Sequence, residues 1–347
     1  MNSPKSSIIQ LQNTSCCLAI DPFGGAVTAF GLHNSDINPL SFIFSNEQMP
    51  SNNRAGANYQ GHFACIGRWG APSNGEILSG LPHHGEPANI QWTIEDEQQQ
   101  GLVMKVVAQK EGLKVRRIIT MDEYSPVYSV RELVTNINPL GRLFNIVQHP
   151  TLAAPFLNEA TVVDCNGTNG FDQAFYKNIS TNQIEWPTAR DPLNNSLDLR
   201  NPVAAYNAVF SFVVKPADDY GWITAFSPTH QLLIGYIWKR SLYPWIHLWQ
   251  HYIDDTITYR GIEFGTAGIH QPFSEILDTA TTVFGEKTYG YIDAGETINK
   301  NHFSFIHSTC NEFTGVENVY FANDQLMIKA RNGRSDISIK VNPTISQ

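Results

Sequence analysis

Apolar and polar residues alternate with a period of two along most of this chain. The runs "SCCLAI" (15–20), "AVTAFGL" (26–32), "LVMKVVAQ" (102–109), "LKVRRIITM" (113–121), "VYSVRELVTNI" (127–137) and "LFNIVQHPTL" (143–152) are rich in Val, Ile, Thr and aromatic residues. So are "YNAVFSFVVK" (206–215), "GWITAFS" (221–227), "LLIGYIWK" (232–239), "WIHLWQHY" (245–252), "FSFIHST" (303–309) and "ISIKV" (337–341). This is the pattern of half-buried strands. Turn clusters such as "DPFGG", "NINPLG" and "SPTH" separate them. A helical stripe is confined to "FSEILDTA" (273–280). So many strands without intervening helices predict an all-β fold of antiparallel sheets, packed as a sandwich or closed as a barrel.

No fixed-period repeat is present, which disfavours a propeller or solenoid. No Pro/Ser/Gly-rich linker divides the chain, so residues 1–347 are expected to form a single domain. Two stretches, 45–89 and 165–204, read as long loops that carry Trp, His, Arg and Tyr. Long loops in a compact β domain tend to serve function.

Composition narrows the partners. The 347 residues are 42% hydrophobic and 16% charged, with a net charge of −9. An acidic chain whose longest basic run is Arg116-Arg117 lacks the clusters that neutralise nucleic-acid phosphates. Five cysteines in no CxxC pair argue against a disulfide framework or a structural zinc site. No segment has the roughly 20 apolar residues of a membrane span, and no apolar leader opens the chain. The expectation is a soluble, cytoplasmic protein, monomeric or weakly dimeric.

Three polar clusters interrupt the apolar background. Residues 61–92 offer His62, Arg68, His83, His84 and Glu86, and "NIVQHPTLAAPF" (145–156) carries His149. "GIEFGTAGIHQPF" (261–273) holds Glu263 between Ile262 and Phe264, with His270 beyond. In a strand, Ile262 and Phe264 share one face and Glu263 takes the other. That other face is either solvent or the floor of a pocket. Bland readings stand beside each functional one. Arg68 suits a structural ion pair, His149 a satisfied strand end, and His83-His84 a solvated turn in which at most one ring serves a pocket. "YPWIHLWQHY" puts Trp245, His247, Trp249 and His251 on one strand face, as a buried aromatic stripe or as a platform for sugar rings.

The order of these motifs resembles the galactose mutarotase (aldose 1-epimerase) superfamily over nearly the whole chain. "LAIDPFGGAVTAFGL" is similar to its opening strand, GG turn and second strand, and His84-Gly85 precedes a strand bearing Trp92. "QHPTLAAPF" resembles its histidine strand, "GIEFGT" its glutamate strand, and "YIDAGETINKNHFSFIHS" its closing turn and strand. The sequence departs from the family pattern in having Gln148 before His149, and in its arginine loop. The resemblance implies a β-supersandwich with an open cleft that binds a mono- or oligosaccharide. It makes Glu263 the base for the anomeric hydroxyl and His149 the acid for the ring oxygen. His84 and Arg68 would hold the sugar, with Arg54 competing for the arginine role. Trp249 and Trp186 are candidate sugar contacts, and Asp172 and Asp198 candidates for the carboxylate that grips hydroxyls.

Opening a hemiacetal removes a proton from O1 and adds one to O5, so the site needs one base and one acid and requires no metal or organic cofactor. On this reading Arg68, His84, His149 and Glu263 converge on one cleft. Two other readings stay open. One is a carbohydrate-binding module without catalysis, because fold does not dictate function. The other is a metal-dependent enzyme using His247, His251 and Glu263.

Overall fold

The computed structural model describes residues 8–202 and 206–342. The alternation resolves into two large sheets. A 13-stranded sheet contains, side by side, the strands Ala26–Leu32, His62–Gly67, Arg142–Ala153, Thr256–Gly265, Trp245–Ile253, Ala208–Val214 and Gly167–Asp172. An eight-stranded sheet includes Tyr220–Ser227, Leu232–Lys239, Thr297–Ser308, Val127–Asn136 and Leu113–Met121. Pairing in both is antiparallel. The two sheets share one apolar layer. Ile146, Ile262 and Phe264 from the first meet Ile119, Val134 and Ile234 from the second. A separate three-stranded sheet, Val316–Ala322, Gln325–Ala330 and Ile337–Lys340, has its own cluster with Trp222, Leu233, Phe303 and Phe305. The fold is an all-β supersandwich. Its expected helix is Phe273–Thr279, with a further short helix at Asn74–Leu78. No helix among the described residues is long and apolar enough to cross a membrane.

The stretch 45–89, expected as a loop, contains a central strand. His62–Gly67 is buried along its whole length, so its sequence, HFACIG, lacks the alternation that marks a one-sided strand. It pairs with the His149 strand in the register Phe63 to His149 and Ala64 to Gln148. The stretch 165–204 likewise holds three short strands, Gln183–Glu185, Thr188–Arg190 and Ser196–Asp198, at the edge of the large sheet.

One buried polar network ties the sheets together behind the His149 strand. Arg117 donates twice to Glu132 Oε1, at 2.9 and 2.6 Å. Gln148 Nε2 donates to Glu132 Oε2 at 2.7 Å, and Gln148 Oε1 lies 3.1 Å from His62 Nε2. The Arg117 guanidinium also covers the Trp92 ring at 4.6 Å. Gln148 therefore faces the core while His149, its neighbour, faces the other way. The Gln in place of Asn is an anchor for the strand rather than a member of the cleft.

Removing one partner of a fully buried ion pair leaves an uncompensated charge in the core. Arg117→Met should lower unfolding free energy by about 3–5 kcal/mol, read from the denaturant midpoint at unchanged m-value. A loss below about 1 kcal/mol would show that Glu132 is already satisfied without the guanidinium.

Candidate active site

Strand alternation puts Ile262 and Phe264 into the inter-sheet core and turns Glu263 to the opposite face. Across the sheet, Glu263 is in register with His247, and His247 with Ser211. On its other flank, His149 Nε2 lies 3.2 Å from Glu263 Oε1. A row of side chains thus crosses five strands: Phe63, His149, Glu263, His247, Ser211. Gly261 makes room for it, since a Cβ there would sit 2.7 Å from Glu263 Oε1.

Phe63, His149 and Glu263 of this row line a cleft of about 150 Å³. Phe42, Phe44, Tyr59, Phe63, Trp69, Val209 and Trp249 supply most of its walls. His83, His84, His149, His270, Gln48 and Glu263 supply its polar groups.

Glu263 is 1% exposed, and no arginine or lysine among the described residues lines the cleft. Burial therefore pushes its carboxyl well above the usual range, opposed by a polar contact from Trp69. Burial pushes His149 down, to about 3. Both shifts favour the uncharged forms of the pair. Thr151 sets which nitrogen faces the carboxyl. Its hydroxyl lies 3.4 Å from the His149 carbonyl, which it can donate to, and 3.0 Å from Nδ1. That leaves Thr151 Oγ1 to accept from Nδ1–H and presents Nε2 to Glu263. The other oxygen, Glu263 Oε2, is buried without a hydrogen-bond partner. A buried acceptor left open in a cleft awaits a donor from a ligand.

The histidine wall follows from local backbone. His84 adopts φ 61° and Gly85 φ 86°. A Cβ on Gly85 would come within 2.2 Å of Ile66 O, so glycine is required after His84. Gly70 clamps the ring and chain of His84 reciprocally: Gly70 N donates to His84 Nδ1 and His84 N donates to Gly70 O, each at 3.1 Å. The bend brings both neighbouring rings into the cleft, with centroids 4.2 Å apart for His83 and His84 and 5.7 Å for His84 and His270. The expectation that at most one of His83 and His84 serves the pocket assumed a strand, and the left-handed turn corrects it. Burial lowers all three, His83 to about 4 and His270 to about 3, with repulsion between neighbouring histidines lowering His84 and His270 further.

The expected residues divide. Glu263, His149, His84 and Trp249 line the cleft. Arg68 does not. Its Nε donates to Glu111 Oε1 at 2.9 Å and its Nη1 lies 2.8 Å from Glu76 Oε2, so the guanidinium is spent on a structural ion pair. Trp69, the next residue, takes the cleft-facing position instead. Arg54 is exposed and outside the lining. Trp186 packs edge-on against Phe212 at 5.5 Å, under Arg200, and is a corner of the core rather than a cleft rim. Asp172 accepts from Ala174 N at 2.9 Å and from the Tyr206 hydroxyl at 2.5 Å, while Asp198 sits on an edge strand beside Arg200. Neither reaches the cleft. Trp245 is buried, with its indole N–H donating to Lys287 O at 2.7 Å. His247 is buried and stacked on Trp69 at 4.0 Å, with Nδ1 2.8 Å from Ser211 Oγ.

A metal through His247, His251 and Glu263 is not what the geometry offers. The one metal-type cluster among the described residues is His83, His84 and His270, whose candidate ligand atoms lie within 4.8 Å of one another. The Gly70 N–H bond at His84 Nδ1 puts the proton of a neutral ring on Nε2. That nitrogen is then a donor for a ligand oxygen, not a lone pair for a metal.

No family model and no curated protein matches this sequence. Solved structures match in shape. A galactose mutarotase related enzyme from Lactobacillus acidophilus superposes with a TM-score of 0.61 at 13% identity, covering 87% of this chain and 98% of that one. The chain has the galactose mutarotase-like fold. A galactose mutarotase-like protein from Clostridium acetobutylicum gives 0.56 at 12% identity, covering 87% of this chain and 95% of that one. A TPR-domain containing protein from Parabacteroides distasonis also gives 0.56, at 13% identity, over 91% of this chain and 50% of its own. At such identities the likeness carries the galactose mutarotase-like architecture and leaves the chemistry to the residues.

The buried histidines make folding sensitive to acid. His62, His149 and His270 stay neutral down to about 3, and His83 to about 4. In the unfolded chain they take up protons near 6.5. The unfolded state binds more protons below that pH, so stability falls as pH drops from about 6.5 towards 3. Unfolding at pH 5 should take up several protons per molecule, measured as the pH dependence of the denaturant midpoint. A midpoint constant between pH 7 and 5 would show that these rings are charged in the folded protein.

Proposed function

We propose that this protein interconverts the anomers of a sugar by acid–base ring opening and closure, an isomerase activity of the aldose 1-epimerase type. The observation that carries the reading is the approach of Glu263 Oε1 to His149 Nε2, 3.2 Å apart in the lining of a cleft. Hemiacetal opening needs one base at O1 and one acid at O5, and this pair supplies both with one proton. When the Glu263 proton crosses to His149 Nε2, Glu263 can take the O1 proton while His149 gives the transferred proton to O5. The pair passes from ionic to neutral with no change in net charge, which suits a site without a counter-ion. After rotation about C1–C2 the same steps run backwards and close the ring from the other face.

Three features support a sugar as the occupant. Trp249, Phe63 and Trp69 offer apolar faces for ring C–H groups. His84, with its proton on Nε2, offers a donor to a hydroxyl, and Glu263 Oε2 awaits one. The cleft has no cation to hold a phosphate, so a neutral sugar is the substrate.

Glu263→Gln keeps the shape and much of the hydrogen bonding but cannot accept the proton. Sugar affinity should hold within a few fold while anomer exchange, followed by NMR exchange spectroscopy, falls by a factor on the order of 10²–10⁴. His149→Asn should match it, and the double variant should be no worse than either, because the two transfers act as a unit. Lost thermal stability with unchanged exchange would make Glu263 structural. Binding without exchange by the unmutated protein would favour a carbohydrate-binding module.

The pH profile gives a separate check. Burial keeps His149 from taking a second proton until about pH 3. The exchange rate should therefore stay level through the ordinary histidine range near 6.5 and fall only in strong acid. An acid limb centred near 6.5 would show an ordinary, solvated His149.

A further inference from the structure

Resting on the acid–base reading above, the positions of Glu263 and His149 orient a pyranose in the cleft. O1 lies at Glu263 and O5 at His149, so C2 and C3 extend past Glu263 and C5 extends past His149. The two sides differ in chemistry. Beyond Glu263 stand Trp69 and then His270, whose rings are 4.6 Å apart. His84 spans between, 5.7 Å from His270 and 5.6 Å from His149. Imidazole nitrogens therefore serve the C2 and C3 hydroxyls.

Beyond His149 the surroundings are apolar. Phe63 stacks on the imidazole at 4.3 Å and Trp249 lies at 5.9 Å. Phe42 and Phe44 close on Trp249, each at 6.0 Å, and Val209 is its cross-strand partner. Two polar groups nearby have partners of their own. The Tyr59 hydroxyl donates to His83 O at 2.6 Å, and Gln48 Oε1 accepts from Ser45 N at 2.9 Å. No cation lines this wall.

We infer that the substrate is a 6-deoxyhexose, a sugar with a methyl group at C5 where common hexoses carry a hydroxymethyl. A methyl against phenyl and indole rings gains apolar contact, while a hydroxymethyl there gives up water against aromatic faces. A phosphate or carboxylate at C6 would be desolvated beside Glu263 in a cleft that no arginine or lysine among the described residues lines.

The test is anomer exchange across matched pairs: a 6-deoxyhexose, its parent hexose, and the hexose 6-phosphate and uronic acid. The 6-deoxyhexose should exceed its parent by about 10–100-fold in kcat/KM, the discrimination an apolar pocket achieves against an added hydroxyl. The two anionic sugars should show no enzyme-dependent exchange. Val209→Thr, which adds a hydroxyl to the apolar wall, should narrow the ratio between the neutral pair. Equal or faster exchange of the parent hexose, or turnover of the 6-phosphate, overturns the inference. If no sugar is exchanged, the acid–base reading fails. The dissociation constants of the same four sugars then judge the pocket by itself, and an affinity for the parent hexose equal to that for the 6-deoxyhexose overturns the assignment.

Discussion

A carboxylate buried without a cation is the constraint on which this site depends. Glu263 sits on a floor walled by aromatic rings and neutral imidazoles, where an isolated negative charge is costly. The nearest basic group is His149, and its burial disfavours a positive charge as strongly as that of Glu263 disfavours a negative one. Burial disfavours ionisation of either alone, and a proton held between them is the arrangement we propose. A pair forced to exchange a proton internally has both an acid and a base form ready without drawing on solvent.

The fold serves this pair by giving neighbouring residues opposite tasks. Gln148 and His149 are adjacent on one strand, and alternation sends the first to the inter-sheet network and the second to the cleft. The network of Arg117, Glu132, Gln148 and His62 holds the strand in register, and Thr151 orients the imbalance-sensitive imidazole. Arg68 and Trp69 repeat the division. Arg68 locks onto Glu111 and Glu76, while Trp69 turns into the cleft against His247 and His270. The guanidinium charges of Arg117 and Arg68 are consumed in the scaffold.

The all-β class was legible because it depends on strand period, while Glu263 and His149 were paired by the family resemblance. Ile262-Glu263-Phe264 and the stripe from Trp245 to His251 occupy the faces that alternation assigns. What could not be read depends on longer-range geometry. The strand His62–Gly67 is buried on both faces and shows no period. The pairing of His83 with His84 depends on a positive φ and on the closeness of Gly85 to Ile66. Arg68 pairs with Glu111, 43 residues away, and spacing alone does not show which partner a guanidinium chooses. Trp186, on a short edge strand connection, packs inward on Phe212, a contact visible only once the sheet edge is formed.

The most direct measurement is the protonation state of His149 itself. Nitrogen-15 NMR of histidine-labelled protein, with the His149 signals assigned by their loss in His149→Asn, reports both ring nitrogens. The account predicts a neutral ring with its proton on Nδ1, unchanged between about pH 5 and 8, where a free histidine would titrate. A ring that titrates near 6.5, or one that carries its proton on Nε2 with Glu263 ionised, would contradict the shared proton and the chemistry built on it.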